Sequence, residues 1–199
     1  MGNLKLNRAK KVKNDEFYTQ LKDVKAELDH YTDHFKGKTI YCNCDTPNSA
    51  FIEYFKTQPI KKLLYSGINP ATGLGTDFRD QTAIIRLKQA DIVITNPPFS
   101  LKQKFLERAY RLGKPFAFLL PLTTFETKKR QVLFKKYGLE VIFFDKRINF
   151  KTPSGKGSGS WFATAWFTNG LNIGSQINFE SLLLTGQKSI SDFESNKEE

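Results

Sequence analysis

The chain has 199 residues, of which 39% are hydrophobic and 26% charged, enough to bury the core of one globular domain. No run of 18 apolar residues occurs, and no apolar segment follows the basic residues near the amino terminus, so neither a transmembrane helix nor a secretory signal is expected. We therefore expect a cytoplasmic protein without membrane contact, and a monomer. The formal net charge of +11 favours a polyanionic partner, most commonly nucleic acid.

Three segments of the chain differ in composition. Residues 1–13 form a basic arm, residues 14–185 are expected to form the folded domain, and residues 186–199 are a polar tail predicted to be disordered. The lysines of the arm that are candidate phosphate contacts are Lys10, Lys11 and Lys13. A frayed, solvated terminus is the alternative interpretation of the arm.

Strand-like and helical patterns alternate along the expected domain. Apolar runs predict strands at residues 39–44, 61–65, 91–95, 116–120, 139–144 and 161–168. Helical spacing and end signals predict helices at residues 16–34, 47–55, 80–89, 100–112 and 125–137. This alternation predicts an α/β fold in which helices cover both faces of a mostly parallel sheet. We expect a seven-stranded sheet, of which these patterns locate six strands.

Three informative segments lie at or near the ends of predicted strands. They are Cys44-Asp45, Thr76-Asp77-Phe78 and Asn96-Pro97-Pro98-Phe99. Ligands of such sheets bind at the carboxyl ends of the strands, so the three segments could share one cleft. Ser100 is expected to begin the next helix, with Gln103 as its capping-box partner.

The segment Asn96-Pro97-Pro98-Phe99, hereafter the NPPF loop, carries acceptors that suit the exocyclic amine of a planar base. An exocyclic amine of a planar base is a poor nucleophile because its lone pair is delocalised into the ring. The side-chain oxygen of Asn96 and the carbonyl of Pro97 can accept its two N–H groups and free that lone pair. The prolines fix the backbone, and Phe99 offers a ring on which a flipped base can stack.

A zinc site is a weaker alternative suggested by four other residues. His30 and His34 lie four residues apart on a predicted helix, and Cys42 and Cys44 follow them. A cysteine pair separated by one residue does not have the usual spacing of zinc ligands. We therefore expect no bound metal and two free thiols.

The glycine-rich stretch 153–160 is a candidate flexible loop. It lacks the strand-to-helix context of a phosphate-binding loop, so we expect a mobile loop that contacts DNA. The basic residues in and near it that could contact phosphates are Lys146, Arg147, Lys151 and Lys156. A plain flexible linker is the alternative interpretation.

Five ordered segments together resemble the adenine-specific DNA methyltransferases of the EcoRI modification methylase type. These segments are residues 15–20, 41–45, 75–79, 87–100 and 166–169. The resemblance implies a Rossmann-like methyltransferase fold, S-adenosylmethionine as the methyl donor and double-stranded DNA as the substrate. It also implies that N6 of adenine is the methylated atom.

The resemblance also assigns roles by position. The cofactor pocket would be lined by Phe17, Tyr18, Thr19, Asn43, Asp45, Asp77 and Phe78, and the catalytic residues would be Asn96, Pro97, Pro98 and Phe99. Within the pocket, Asp45 is placed to meet the ammonium group of the cofactor. Asp77 and Phe78 are placed to hold its adenine ring.

Two features depart from the family pattern. The second strand ends at Tyr65-Ser66-Gly67 without the carboxylate that often binds the ribose hydroxyls, which would weaken cofactor binding unless another residue serves. We also expect no separate target-recognition domain in a chain of this length, so loops 67–75 and 146–160 are the candidates to read bases. Methylation of an RNA or a protein glutamine, or DNA binding without catalysis, are the alternative functions.

Overall fold

The computed structural model of the protein describes residues 18–67, 81–148, 150 and 162–182. The predicted basic arm, residues 1–13, and the predicted tail, residues 186–199, lie outside the described residues. Between those two segments the described residues include seven strands and six α-helices.

The strands form one mixed sheet. They are β1 (Thr39–Cys42), β2 (Lys62–Tyr65), β3 (Ile92–Thr95), β4 (Phe116–Pro121), β5 (Glu140–Phe144), β6 (Thr164–Asn169) and β7 (Ile177–Glu180). Their order is β2-β1-β3-β4-β6-β5-β7. All pairings are parallel except those of β6, which runs antiparallel to both β4 and β5. The prediction of a mostly parallel, seven-stranded sheet is therefore confirmed.

The helices follow the predicted positions closely, except for the first. They are α1 (Leu21–Leu28), α2 (Thr32–Phe35), α3 (Ala50–Phe55), α4 (Gln81–Gln89), α5 (Lys102–Leu112) and α6 (Lys128–Tyr137). The single helix predicted over residues 16–34 is interrupted by a 3₁₀ turn at Asp29–Tyr31, which separates α1 from α2. No helix in the described part of the chain is long and apolar enough to cross a membrane.

Helices cover both faces of the sheet, as two neighbouring residues of β6 show. Trp166 contacts Phe51 of α3 edge to face, with ring centroids 5.9 Å apart. The next residue, Phe167, contacts Phe134 of α6 on the other side. Successive side chains of a strand point to opposite faces, so α3 and α6 lie on opposite faces of the sheet.

The carboxyl ends of β1, β2, β3, β4 and β5 lie at one edge of the sheet. Strands β2, β1, β3 and β4 are mutually parallel, and β5 shares their direction because both β4 and β5 run antiparallel to β6. The residues that follow β1 and β3 are therefore brought to the same edge. Both strands are buried along their whole length.

Strand β7 was not among the predicted strands. It pairs with β5 at the edge of the sheet, and its Phe179 is 80% exposed. Distant residues hold its carboxyl end, since Tyr31 donates a hydrogen bond to Glu180 over 2.9 Å and Ser181 donates one to Asp145 over 2.6 Å. These contacts join residues that are 149 and 36 positions apart in the chain, so β7 depends on tertiary structure.

Candidate active site

The NPPF loop leaves the carboxyl end of β3 in a fixed conformation. Pro97 and Phe99 are buried, and Phe99 begins a 3₁₀ turn, Phe99–Leu101, that leads into α5. Lys102 donates a hydrogen bond from its Nζ to the carbonyl oxygen of Phe99 over 2.9 Å. The two prolines restrict φ, so the carbonyl of Pro97 is held in place by local geometry.

The side chain of Asn96 meets the segment that precedes α1. Its amide nitrogen Nδ2 donates a hydrogen bond to Oγ1 of Thr19 over 3.3 Å. The two residues are 77 positions apart in the sequence. The structure therefore brings a predicted cofactor residue into contact with the predicted catalytic asparagine.

The ring of Phe99 packs on two further phenylalanines. Phe150 and Phe162 contact it edge to face, with centroids 6.2 Å and 5.4 Å away, and stack on each other. Phe99 is 8% exposed and Phe150 is 3% exposed. These contacts join the segment that follows β5 to the NPPF loop. Stacking of Phe99 on a base stays a prediction.

Asp45 presents a buried carboxylate just beyond β1. Thr95, the last residue of β3, donates a hydrogen bond from Oγ1 to Oδ2 of Asp45 over 3.1 Å. Burial raises the pKa of Asp45 to about 6, although the hydroxyls of Ser49 and Thr95 oppose the shift. Near neutral pH this carboxyl is therefore largely ionised but poised to take up a proton.

Asn43 is the other polar side chain buried at this strand end. It is 2% exposed, and among the described residues no group accepts a hydrogen bond from its Nδ2. A buried donor without an acceptor is costly, which makes this amide a candidate for binding a ligand. Asn43 and Asp45 together place an unused donor and an anion near the NPPF loop.

The carboxyl end of β2 lacks the carboxylate of the family pattern, and a hydroxyl of Ser66 there pairs with the hydroxyl of Tyr41 on β1. Oη of Tyr41 lies 2.6 Å from Oγ of Ser66, and both residues are buried. A Cβ atom at Gly67 would lie 2.8 Å from Cγ2 of Thr46, so a larger residue there would require the side chain of Thr46 to move. This glycine lets the chain after β2 approach the loop after β1.

The remaining predicted site residues divide into described and undescribed ones. Tyr18 is 54% exposed beside Thr19. Lys146 and Arg147 are exposed directly after β5, at the same edge of the sheet as the NPPF loop. The predicted residues outside the described part of the chain are Lys10, Lys11, Lys13, Phe17, Asp77, Phe78, Lys151 and Lys156.

Glu27 is a buried residue that the sequence reasoning missed. It is fully buried on α1, and its Oε2 accepts a hydrogen bond from Nε1 of Trp166 over 2.8 Å. Burial raises the pKa of Glu27 well above its usual range. The available signal was its position three residues after Val24, on the apolar stripe of the helix.

The alternative zinc ligands are not gathered into one site. His30 contacts Glu180 and the carbonyl of Ser181, whereas Cys42 and Cys44 are free thiols at the end of β1. Burial raises the pKa of both thiols, so they stay protonated. Within the residues that the structure describes, no group of three side chains suits a metal ion.

The sheet, with β6 inserted antiparallel beside β4 and the NPPF loop at the end of β3, defines a Rossmann-like methyltransferase fold. A solved modification subunit of a putative type I restriction enzyme from Vibrio vulnificus shares this fold, with a TM-score of 0.53 and 13% identity. The match covers 88% of this chain and 49% of that one. The chain itself belongs to the family described as adenine-specific methyltransferase EcoRI, whose family model matches residues 5–72 and 68–156.

Two relatives are similar over much of the chain. The Type II methyltransferase M.MgeORF184P of Mycoplasma genitalium is 34% identical over 82% of this chain and 64% of its own length. The Type II methyltransferase M.EcoRI of Escherichia coli is 32% identical over 62% of this chain and 50% of its own length. The chain therefore spans about half to two thirds of the length of these relatives.

Proposed function

We propose that the chain transfers a methyl group from S-adenosylmethionine to N6 of adenine in double-stranded DNA. The observation that carries the proposal is the position of Asn96 at the carboxyl end of β3. Its amide is hydrogen-bonded to Thr19, and two prolines follow it in the chain. The family description, which specifies adenine, and the relatives named Type II methyltransferases support the same activity. A role in restriction-modification follows from the same names.

The residues at the end of β1 fit the proposed cofactor. The carboxylate of Asp45 suits its ammonium group, and the unused Nδ2 donor of Asn43 suits an oxygen acceptor of the same molecule. The residues proposed to hold the cofactor are Phe17, Tyr18, Thr19, Asn43, Asp45, Asp77 and Phe78. When bound, S-adenosylmethionine supplies a methyl group on a positively charged sulfur, which is already activated for transfer.

The protein contributes acceptors for the target amine. The side-chain oxygen of Asn96 and the carbonyl oxygen of Pro97 would each accept one N–H of the amine, which draws its lone pair out of conjugation. These acceptors do not remove a proton before the methyl group moves. The amine would displace the methyl group from the sulfur and then release its extra proton to solvent, so no general base has to act before the transfer. Their effect depends on a fixed geometry, which the prolines and the buried Phe99 provide.

The DNA is proposed to approach along the edge of the sheet that holds the NPPF loop. Lys146 and Arg147 are exposed at this edge, and the net charge of +11 favours a polyanion. The full set proposed to contact DNA is Lys10, Lys11, Lys13, Lys146, Arg147, Lys151 and Lys156. The target base would leave the duplex to reach the loop.

A methyl-transfer assay with Asn96→Ala tests this function. We expect the unchanged chain to transfer radiolabelled methyl groups to duplex DNA, and Asn96→Ala to lose transfer while DNA binding stays within about twofold. Asn178→Ala, which removes an amide from the distant edge strand β7, is the matched control and should stay active. Equal transfer by Asn96→Ala would contradict the mechanism. Methyl label that appears only in RNA or protein would contradict the proposal that DNA is the substrate.

A further inference from the structure

Thr19 and Asn96 belong to segments for which the sequence predicts different roles, cofactor binding and catalysis. In the structure, the amide nitrogen of Asn96 donates a hydrogen bond to the hydroxyl oxygen of Thr19 over 3.3 Å. We propose that Thr19 is a positioning residue whose hydroxyl holds the Asn96 amide by its nitrogen and so presents the amide oxygen to the target amine. This inference deepens the proposed function and rests on it.

The orientation of the amide decides whether Asn96 can work. An amine with two N–H groups needs acceptors, and the amide of asparagine carries an acceptor oxygen and a donor nitrogen of nearly equal size. If the amide were reversed, its nitrogen would face the N–H groups of the target, and two donors would oppose each other. In the structure the hydroxyl oxygen of Thr19 acts as the acceptor for the nitrogen of Asn96, and that arrangement holds the amide in the productive orientation.

Thr19 can do this because the segment that carries it is firmly held. It lies two residues before α1, and the carbonyl oxygen of Gln20 accepts hydrogen bonds from the backbone nitrogens of Asp23 and Val24, each over 3.0 Å. Val24 is fully buried, so the first turns of the helix cannot shift without disturbing the core. The hydroxyl of Thr19 is thus offered to Asn96 from a fixed position.

The same helix is tied to the centre of the sheet. Nε1 of Trp166 donates a hydrogen bond to the fully buried Glu27 over 2.8 Å. Strand β6, which carries Trp166, pairs with β4, and β4 pairs with β3, whose end bears Asn96. The two partners of the Thr19–Asn96 bond are therefore mounted on elements that the same sheet aligns, as a positioning contact requires.

The variants Thr19→Val and Thr19→Ser distinguish positioning of Asn96 from a role of Thr19 in cofactor binding. Valine keeps the size and β-branching of threonine without the hydroxyl, whereas serine keeps the hydroxyl. Thr123→Val is the matched control, because Thr123 is exposed and contacts Arg130 only through its backbone oxygen. The measurements are the side-chain amide resonances of Asn96 in ¹⁵N spectra, the single-turnover rate of methyl transfer to duplex DNA, and the affinity for S-adenosylhomocysteine.

We expect Thr19→Val to shift the Asn96 amide resonance and to lower the single-turnover rate about three- to tenfold, the effect of losing one hydrogen bond between neutral groups. The melting temperature should stay unchanged, and any loss of affinity for S-adenosylhomocysteine should be much smaller than the loss of rate. Thr19→Ser should restore most of the rate, and Thr123→Val should keep the full rate. An unshifted resonance with an unchanged rate would overturn the inference. A loss of S-adenosylhomocysteine affinity in proportion to the rate would also overturn it, since Thr19 would then act on the cofactor.

The same experiment distinguishes a failure of this inference from a failure of the proposed function. If the unchanged chain transfers methyl groups to adenine and Thr19→Val does so equally well, the positioning role is wrong and the proposed function stands. If the unchanged chain binds S-adenosylhomocysteine and DNA but transfers no methyl group to adenine, the proposed function is wrong and the inference falls with it.

Discussion

The ionisation of Asp45 should determine how the affinity for S-adenosylhomocysteine varies with pH. Burial raises the pKa of this carboxyl to about 6, against an ordinary value of 3.8. In the proposed complex the ionised form faces the ammonium group of the ligand. A protonated Asp45 must therefore lose its proton before it can make that contact, which makes binding weaker at low pH.

The size of the effect follows from the pKa. With a pKa of about 6, roughly one carboxyl in eleven is ionised at pH 5 and roughly ten in eleven at pH 7. The dissociation constant should therefore fall about tenfold between pH 5 and pH 7, which corresponds to about 1.4 kcal/mol. Above pH 7 it should level off, because Asp45 is then almost fully ionised.

Isothermal titration calorimetry from pH 5 to pH 9 measures this dependence. Asp45→Asn should bind more weakly and show little change between pH 5 and pH 7. A second control is 5′-methylthioadenosine, which lacks the amino-acid group and should bind with the same affinity across this range. If S-adenosylhomocysteine binds equally well at pH 5 and pH 7, or if Asp45→Asn keeps the tenfold change, Asp45 is not the partner of the ammonium group.

Two further variants test the surface and the core. Changing Lys146 and Arg147 to glutamine should reduce the slope of log Kd for duplex DNA against log salt concentration by about 1.8, since each phosphate contact contributes about 0.9. The same change at the exposed Lys61 and Lys62, at the opposite edge of the sheet, should have no effect, and equal slopes for both pairs would refute the proposed DNA edge. For Glu27→Gln, we expect the free energy of unfolding to lose the pH dependence that this carboxyl contributes above its ordinary pKa of 4.5. Unfolding releases the proton that burial retains, so the stability of the unchanged chain falls as pH rises, by at most about 1.4 kcal/mol per pH unit. Chemical denaturation at several pH values measures this slope of unfolding free energy against pH, and an equal slope in Glu27→Gln would contradict the prediction.

The sheet and the place of the NPPF loop could be predicted because their signals are local. An apolar run such as Ile92–Thr95, ended by two prolines, indicates a strand buried on both faces and a sharp exit. The alternation of such runs with helical patterns then indicates parallel pairing. These two signals place Asn96 at the edge of the sheet where the carboxyl ends of the parallel strands lie, without any knowledge of tertiary contacts.

The contacts of α1 could not be predicted from periodicity. The spacing from Val24 places Glu27 on the apolar stripe of the helix, but a carboxyl at such a position is ordinarily expected to reach solvent rather than to enter the core. Burial of that carboxyl depends on Trp166, 139 residues further along the chain. Likewise, the bond between Thr19 and Asn96 spans 77 residues, and no property of either segment alone indicates it.

The region between the NPPF loop and α5 shows how tertiary contacts override a local signal. Gln103 was expected to close a capping box with Ser100, but a 3₁₀ turn precedes the helix and Lys102 is its first residue. The side chain of Gln103 instead donates a hydrogen bond to Glu107 over 2.8 Å and accepts one from Arg130 over 3.4 Å. Arg130 lies on α6, so a contact with a neighbouring helix helps to fix the side-chain orientation of Gln103.

The product nucleoside tests the central claim most directly. Duplex DNA is incubated with the chain and S-adenosylmethionine, digested to nucleosides, and analysed by mass spectrometry. The account predicts N6-methyl-2′-deoxyadenosine as the modified nucleoside, and none of it with Asn96→Ala. A methylated cytosine in its place, or N6-methyl-2′-deoxyadenosine formed equally well by Asn96→Ala, would contradict the account.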